Sequence, residues 1–334
     1  MGLLGFYREQ GAIKAIESES LTFFDESLNS DYEARVVPVM PYQNNKDWQV
    51  NEYADCLDAT VKSLLDQRIV WITSEAENSD FYVLMVVPPD VPEMSRTGVL
   101  LIKQAGVLKP MTVRIDNEDY LIEIKGCGSP VGLFPTTHYR NQAGCYNKSH
   151  LKVTGALTKE EGEREFEALC AKDSFFKQRG LSSQIKALAV TEFHYLGVDF
   201  SVLIRLVPST IRASFSKHPI LDELLKDRYK HSYRCMGDRV GALLQMPQPL
   251  HHQNLSINNM VYVDAQTFDL SDWSEVEPLF SSHCAMDYIK SVFPVFYLNH
   301  NMPVSHMQYF CDALHARLLG QPLTQTVDDL MSFL

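Results

Sequence analysis

Between Ile69 and Gly128 the chain is a succession of short apolar runs separated by turn residues. "IVWITSE", "FYVLMVVPPDVPEM", "GVLLIKQAG", "MTVRI" and "YLIEIKG" follow one another, rich in β-branched and aromatic residues. That pattern predicts strands; the prolines end the second, and the DNED between "MTVRI" and "YLIEIKG" makes a hairpin turn. A small antiparallel sheet over 69–128 follows. "IKALAVTEF" and "FSVLIRLVP" add two further strands. Beyond residue 220 the periodicity becomes mainly helical, broken by a hairpin over 260–272. Strands first and helices afterwards predict an α+β chain with a β-rich N-terminal lobe and a mainly helical C-terminal lobe. The expected division is an N-terminal extension over 1–68, a β-rich lobe over 69–215 and a helical lobe over 216–334, with a cleft between the lobes. Within the extension, 1–50 reads as a variable region and 52–67 as a helix. Residues 129–153 read as a long loop rich in Gly, Pro, Asn and Thr, a length more often functional than idle. "TKEEGEREFEALCAKD" is a helix, with Thr158 and Glu161 spaced as a capping box.

The chain is 334 residues long, enough for two lobes with substantial cores. Its net charge of −12 disfavours nucleic acid or an anionic membrane as a partner, because Lys/Arg contacts supply that affinity. No stretch approaches the roughly 20 apolar residues of a membrane span, and no basic leader precedes the N-terminal apolar stretch. Gly2 is followed by Phe6 rather than Ser or Thr, which argues against myristoylation. The seven cysteines (56, 127, 145, 170, 235, 284, 311) are odd in number and form no C-x-x-C pair. Reduced, mostly buried thiols in a cytoplasmic protein are expected, without a zinc site. His251 and His252 are adjacent, which is not the i, i+4 spacing of helical metal ligands.

Three stretches carry chemistry. In "LIEIKGCG", apolar alternation ends in Lys125 and a glycine turn. A lysine there either is solvated or reaches a nucleotide's phosphates, and the second role needs a carboxylate to hold it. Glu165, on the helix after the loop, is the candidate. In "VLIRLVPSTIR", Arg205 lies inside an apolar run, which is costly unless it is paired. With Arg212, beyond the break at Pro208, it makes either a phosphate clamp or one structural ion pair and one surface arginine. In "HHQNLSINNMVYVDAQTFDLSDW", Asn259 precedes a hairpin and Asp272 ends it. Protein kinases hold magnesium with an Asn and an Asp so arranged.

Taken in order, these stretches resemble the selenoprotein O family, which has a protein-kinase-like fold. "IKGCG" is similar to that family's Leu-Lys-Gly-Ala-Gly strand end, and "TGALTKEEGEREF" to its glycine followed by a helix with Arg-Glu-Phe. "VLIRLVPSTIR" is similar to its Val-Leu-Val-Arg-Val-Ala-Pro-Ser-His-Ile-Arg, and "HQNLSINNM" to its His-x5-Asp-Asn-Met loop. The resemblance covers roughly residues 100–275. It implies a bilobal kinase-like fold that binds ATP with magnesium or manganese and moves AMP to protein hydroxyls. It implies that Lys125 contacts the phosphates and pairs with Glu165. Gly126, Gly128 and Gly155 would line the nucleotide site, Arg205 and Arg212 would bind the nucleotide, and Asn259 would be a metal ligand. The second ligand stays open: the family's Thr-Ile-Asp points to Asp269, and kinase spacing with strand alternation favours Asp272.

The departures are specific. Asn258 stands where the family has its acidic residue, and an Asn cannot accept a proton as a general base. Thr154 replaces the Asp before Gly155, the loop 129–153 is longer than the family's, and the family's C-terminal region is missing. Nucleotidyl and phosphoryl transfer rest mainly on positioning and electrostatics, so loss of a base need not end activity. Two functions therefore stand. One is an ATP- and Mg-dependent transferase moving AMP or phosphate to a protein hydroxyl or small-molecule acceptor, with Asn258, Lys125 and Glu165 at the reacting centre. The other is a pseudokinase that binds nucleotide, or scaffolds, without turnover.

Overall fold

The computed structural model describes residues 33–73, 79–87, 97–127, 133–134, 152–153, 157–195, 198–208, 229–246, 250–252, 260–264, 267–270, 276–278 and 304–320. They form a mixed α and β structure with one large antiparallel sheet. The chain divides into two compact units: Tyr7–Phe166 with Lys186–Val207, and Met1–Phe6 with Glu167–Ile185 and Pro208–Leu334.

The first unit is built on a 10-stranded sheet. Its strands are β1 (Glu33–Gln43), β2 (Gln49–Val50), β3 (Ile69–Thr73), β4 (Phe81–Val87), β5 (Thr97–Gln104), β6 (Val107–Pro110), β7 (Thr112–Ile115), β8 (Glu118–Lys125), and, after a helix, β11 (Lys186–Tyr195) and β12 (Val198–Val207). The order is β2-β11-β12-β8-β5-β4-β1-β3, with β6 on β5 and β7 on β8. Hairpins between consecutive strands make four of these pairings, β4–β5, β5–β6, β7–β8 and β11–β12, and the turns explain two of them. Asp116 and Asn117 both have positive φ, as the tight β7–β8 connection requires, and Ala105 and Gly106 do the same between β5 and β6.

One face of the sheet carries the core, including Val39, Trp71, Val83, Leu100, Ile122, Ile124, Val202 and Ile204. In β8 every residue from Tyr120 to Lys125 is buried. Ile122 and Ile124 point to the core, so by strand alternation Leu121, Glu123 and Lys125 share the other face.

The sheet is wider than a 69–128 reading predicts. β1 belongs to it, pairing with β4 through Glu33–Val39 and with β3 through Val39–Gln43. Pro38 and Pro41 interrupt the alternation that would have signalled this strand. The helix expected over 52–67 is split into a 3-10 turn, Glu52–Cys56, and α1, Ala59–Asp66, because Asp58 caps α1 by accepting the Val61 N–H. Within the 129–153 loop, β9 (Leu133–Phe134) pairs with β10 (Lys152–Val153).

The helix expected at 158–171 is α2, Lys159–Gln178. Its capping box forms: Thr158 Oγ1 accepts the Glu161 N–H at 3.1 Å, and Glu161 Oε2 accepts the Thr158 N–H at 2.9 Å. The helix starts in the first unit and ends in the second.

The second unit contains α3 (Tyr229–Leu244), α4 (Val304–Leu319) and two small hairpins: β13 (Leu250–His252) with β16 (Val276–Pro278), and β14 (Met260–Asp264) with β15 (Thr267–Leu270). Tyr233, Met236, Val240 and Leu243 of α3 and Met307, Phe310, Cys311 and Leu314 of α4 are buried. Gly237 and Gly241 let the helices approach closely, since a Cβ at Gly237 would meet the Phe310 carbonyl.

Candidate functional site

On the face of the sheet turned from the core, four charged side chains meet in the first unit. β8 supplies Glu123 and Lys125, β12 supplies Arg205, and α2 supplies Glu165. The strand register brings them together: Arg205 lies opposite Glu123, and Leu203 opposite Lys125. Helix α2 comes close because Gly162 has no side chain; a Cβ there would collide with the Ser201 side chain. Glu165 lies three residues further on, on the neighbouring helical face.

Lys125 Nζ donates to Glu165 Oε2 at 2.6 Å, and Arg205 Nη1 donates to Glu165 Oε1 at 2.6 Å. Each oxygen of Glu165 thus serves a different cation. Arg205 Nε donates to Glu123 Oε2 at 2.9 Å, and Nη2 makes a short bond to the same oxygen. All four residues are 4% exposed or less. Two cations and two carboxylates cancel, which is the condition for holding four charges out of water.

Gly126 follows Lys125 with φ +89°, and a Cβ there would strike the Ser201 carbonyl. The chain therefore turns tightly off β8 immediately after the lysine, at a place only glycine fits. Beside it, burial pushes the Cys127 thiol up to about 12, and the Glu123 charge adds to the shift while a backbone hydrogen bond opposes it. Such a thiol is a packing group and not a nucleophile.

Of the sequence-derived site residues, Lys125, Gly126, Glu165 and Arg205 are thus gathered. Asp269 lies in the second unit, 3% exposed. Its Oδ2 accepts the backbone N–H groups of Gln184 and Ile185 at 2.9 and 3.0 Å. Lys172 Nζ lies 3.4 Å from the same oxygen and Arg239 Nη1 3.7 Å. Gly128, Gly155, Arg212, Asn258, Asn259 and Asp272 lie outside the described residues. Among the described residues, no group of three or more His, Cys, Asp or Glu is placed to hold a metal ion.

Two residues of these clusters lie outside the sequence-derived site. Glu123 has a signal in the sequence, because a carboxylate two residues before Lys125 in an apolar strand must share its face. Lys172 is the other. It stands seven residues after Glu165, two helical turns along one face, and is fully buried.

No protein-family model matches the chain, and no curated protein matches it. Among solved structures it is similar to WaaP in complex with acyl carrier protein, at 12% identity over 72% of this chain and 85% of that one, with a TM-score of 0.35. Among the described residues no helix is long and apolar enough to cross a membrane.

Proposed function

We propose that this chain is an ATP- and magnesium-dependent transferase of selenoprotein O type, built on a protein-kinase-like bilobal fold. It would move AMP, or phosphate, from ATP to a hydroxyl of a protein or a small molecule. The observation that carries the reading is the buried Lys125–Glu165 pair at 2.6 Å, joining the end of a sheet strand to a helix packed on the sheet. A lysine held this way by a helical glutamate is the arrangement with which kinase-like enzymes meet nucleotide phosphates.

The residues suit the nucleotide. Lys125 is a compact ammonium held by Glu165, the kind of point charge that suits a phosphate. Gly126 makes the tight turn after the lysine, and Gly128 and Gly155 are assigned to the nucleotide because a glycine permits close approach to backbone. Arg212 is assigned to the phosphates. ATP, when bound, supplies the transferred group, and magnesium or manganese offsets its charge. Asn259 and Asp272 are assigned to the metal, since hard cations take oxygen ligands. Asp272 is preferred to Asp269 because Asp269 is already engaged by two backbone N–H groups and by Lys172. Asn258 is assigned to orienting the acceptor hydroxyl through its amide.

Incubation with ATP labelled separately at the α and γ phosphates, with magnesium or manganese, tests the proposal. Label transferred from the α position means nucleotidylation, and from the γ position phosphorylation. Tight binding without transfer would favour the pseudokinase reading, which the Asn at position 258 supports. Neither binding nor transfer would overturn both.

A further inference from the structure

The sheet register brings one further polar group, the Thr97 hydroxyl, to the face that carries the four charges. We propose that this hydroxyl is a phosphate-binding group beside Lys125, donating to the phosphates of the ligand that the charged cluster receives; the proposal rests on the nucleotide-site reading above and adds a residue to that site.

β5 runs antiparallel to β8, with Thr97 opposite Lys125 and Val99 opposite Glu123. On the other side of β8, Leu203 lies opposite Lys125 and Arg205 opposite Glu123. Directly opposed residues share a face of the sheet, with Cβ atoms about 5 Å apart. Alternation agrees, since Leu100 of β5, Ile124 of β8 and Ile204 of β12 belong to the core. Thr97, Lys125 and Leu203 therefore lie on the opposite face. Two rows stand side by side there, Thr97–Lys125–Leu203 and Val99–Glu123–Arg205. Five of these six residues are 4% exposed or less. Thr97 is the sixth and is partly exposed. A ligand that enters along these rows to reach the buried charges passes Thr97 first. The chemistry of the side chain fits that place. A threonine hydroxyl supplies one donor that rotates to suit its acceptor, and a hydrogen bond to an ionised acceptor is stronger than one between neutral groups. Valine, also β-branched, would serve the strand as well; what threonine adds is the hydroxyl. The contact draws on none of the bonds that join Lys125, Glu165, Arg205 and Glu123.

The test uses the full chain and three variants, Thr97→Val, Thr97→Ser and Thr97→Ala. Calorimetry measures the affinity of each for ATP with magnesium and, separately, for inorganic triphosphate with magnesium. Thr97→Val removes the hydroxyl and keeps the shape, so it is expected to weaken both ligands by roughly tenfold or more. Thr97→Ser keeps the hydroxyl and is expected to stay within about threefold of wild type. Unchanged affinity for both ligands in Thr97→Val would overturn the proposal. So would equal losses in Thr97→Val and Thr97→Ser, which would make the effect one of packing. If wild type binds triphosphate but not ATP, the nucleotide reading fails, and the triphosphate series alone decides the role of Thr97. If wild type binds neither, both are overturned. If Thr97→Val does not fold, Thr97→Ala compared with Thr97→Ser gives the decision.

Discussion

Arg205 sits inside the apolar run "VLIRLV" and is 1% exposed, a place where a guanidinium survives only if its charge is matched. Its match is Glu123 and Glu165, and Lys125 completes the balance. Removing one member should therefore cost more than one hydrogen bond is worth. Glu165→Ala would leave two buried cations facing one carboxylate. Breaking a buried pair from one side typically costs about 3–5 kcal/mol. Urea denaturation of Glu165→Ala should show a loss of that order in the unit containing the sheet. A loss within about 0.5 kcal/mol, the range of ordinary surface substitutions, would mean the four charges do not stabilise one another as described.

At the scale of elements, two pieces of helix packing make contrasting predictions. The end of α2 is tied to β15 by Asp269, which accepts the Gln184 and Ile185 N–H groups and faces buried Lys172. Asp269→Ala strands two backbone donors and removes a carboxylate from a buried lysine, so a loss of about 3–5 kcal/mol is expected. Asp269→Asn keeps an acceptor and should cost less. Asp272→Ala, on the proposed function, should abolish label transfer with little change in the urea midpoint. If Asp269→Asn alone removes metal-dependent turnover from a fully stable protein, the metal assignment moves to Asp269. The α3–α4 contact makes the other prediction. Gly→Ala in a helix ordinarily gains roughly 1 kcal/mol from propensity. At Gly237 the new methyl would meet the Phe310 carbonyl, which is backbone and cannot rotate away. Overpacking of this kind costs about 1–3 kcal/mol. Gly237→Ala should therefore destabilise on balance, measurable as a lower midpoint; a raised midpoint would show that α3 and α4 are not in close contact there.

The whole molecule holds a buried thiol in each unit, Cys127 in the first and Cys311 in the second. Burial pushes both from 9.0 to about 12, with Glu123 and Asp312 adding to the shift at each. The folded chain keeps these protons at a pH where the unfolded chain releases them. Their contribution is therefore constant below about pH 9 and is lost as pH rises toward 12, at up to about 1.4 kcal/mol per pH unit for each thiol. Unfolding of the two units should be followed separately, since two units need not share one transition. Cys127→Ala should flatten the alkaline loss in the first unit and Cys311→Ala in the second. An alkaline slope unchanged by either variant would show that other groups carry it.

What the sequence determined by itself was local. Short apolar runs rich in β-branched and aromatic residues, bounded by turn residues, marked the strands from 69 to 125. Thr158 and Glu161 marked the start of α2, because a capping box is complete within four residues. Lys125 and Arg205 stood out as charges beside apolar runs, and Glu165, on the helix after the loop, was the candidate carboxylate for Lys125, a pairing that the family resemblance also implies. The structure decided everything that depends on distant residues. β1 hid behind Pro38 and Pro41, and joined the sheet because β3 and β4 supplied partners. Glu123 faced Arg205 because β8 and β12 pair in one register across 82 residues of sequence. Asp269 is a metal candidate by its motif, and its Oδ2 accepts two backbone N–H groups of the turn after α2, a contact no spacing rule encodes. Periodicity reports which face a residue occupies; only tertiary packing decides which charge waits on that face to meet it.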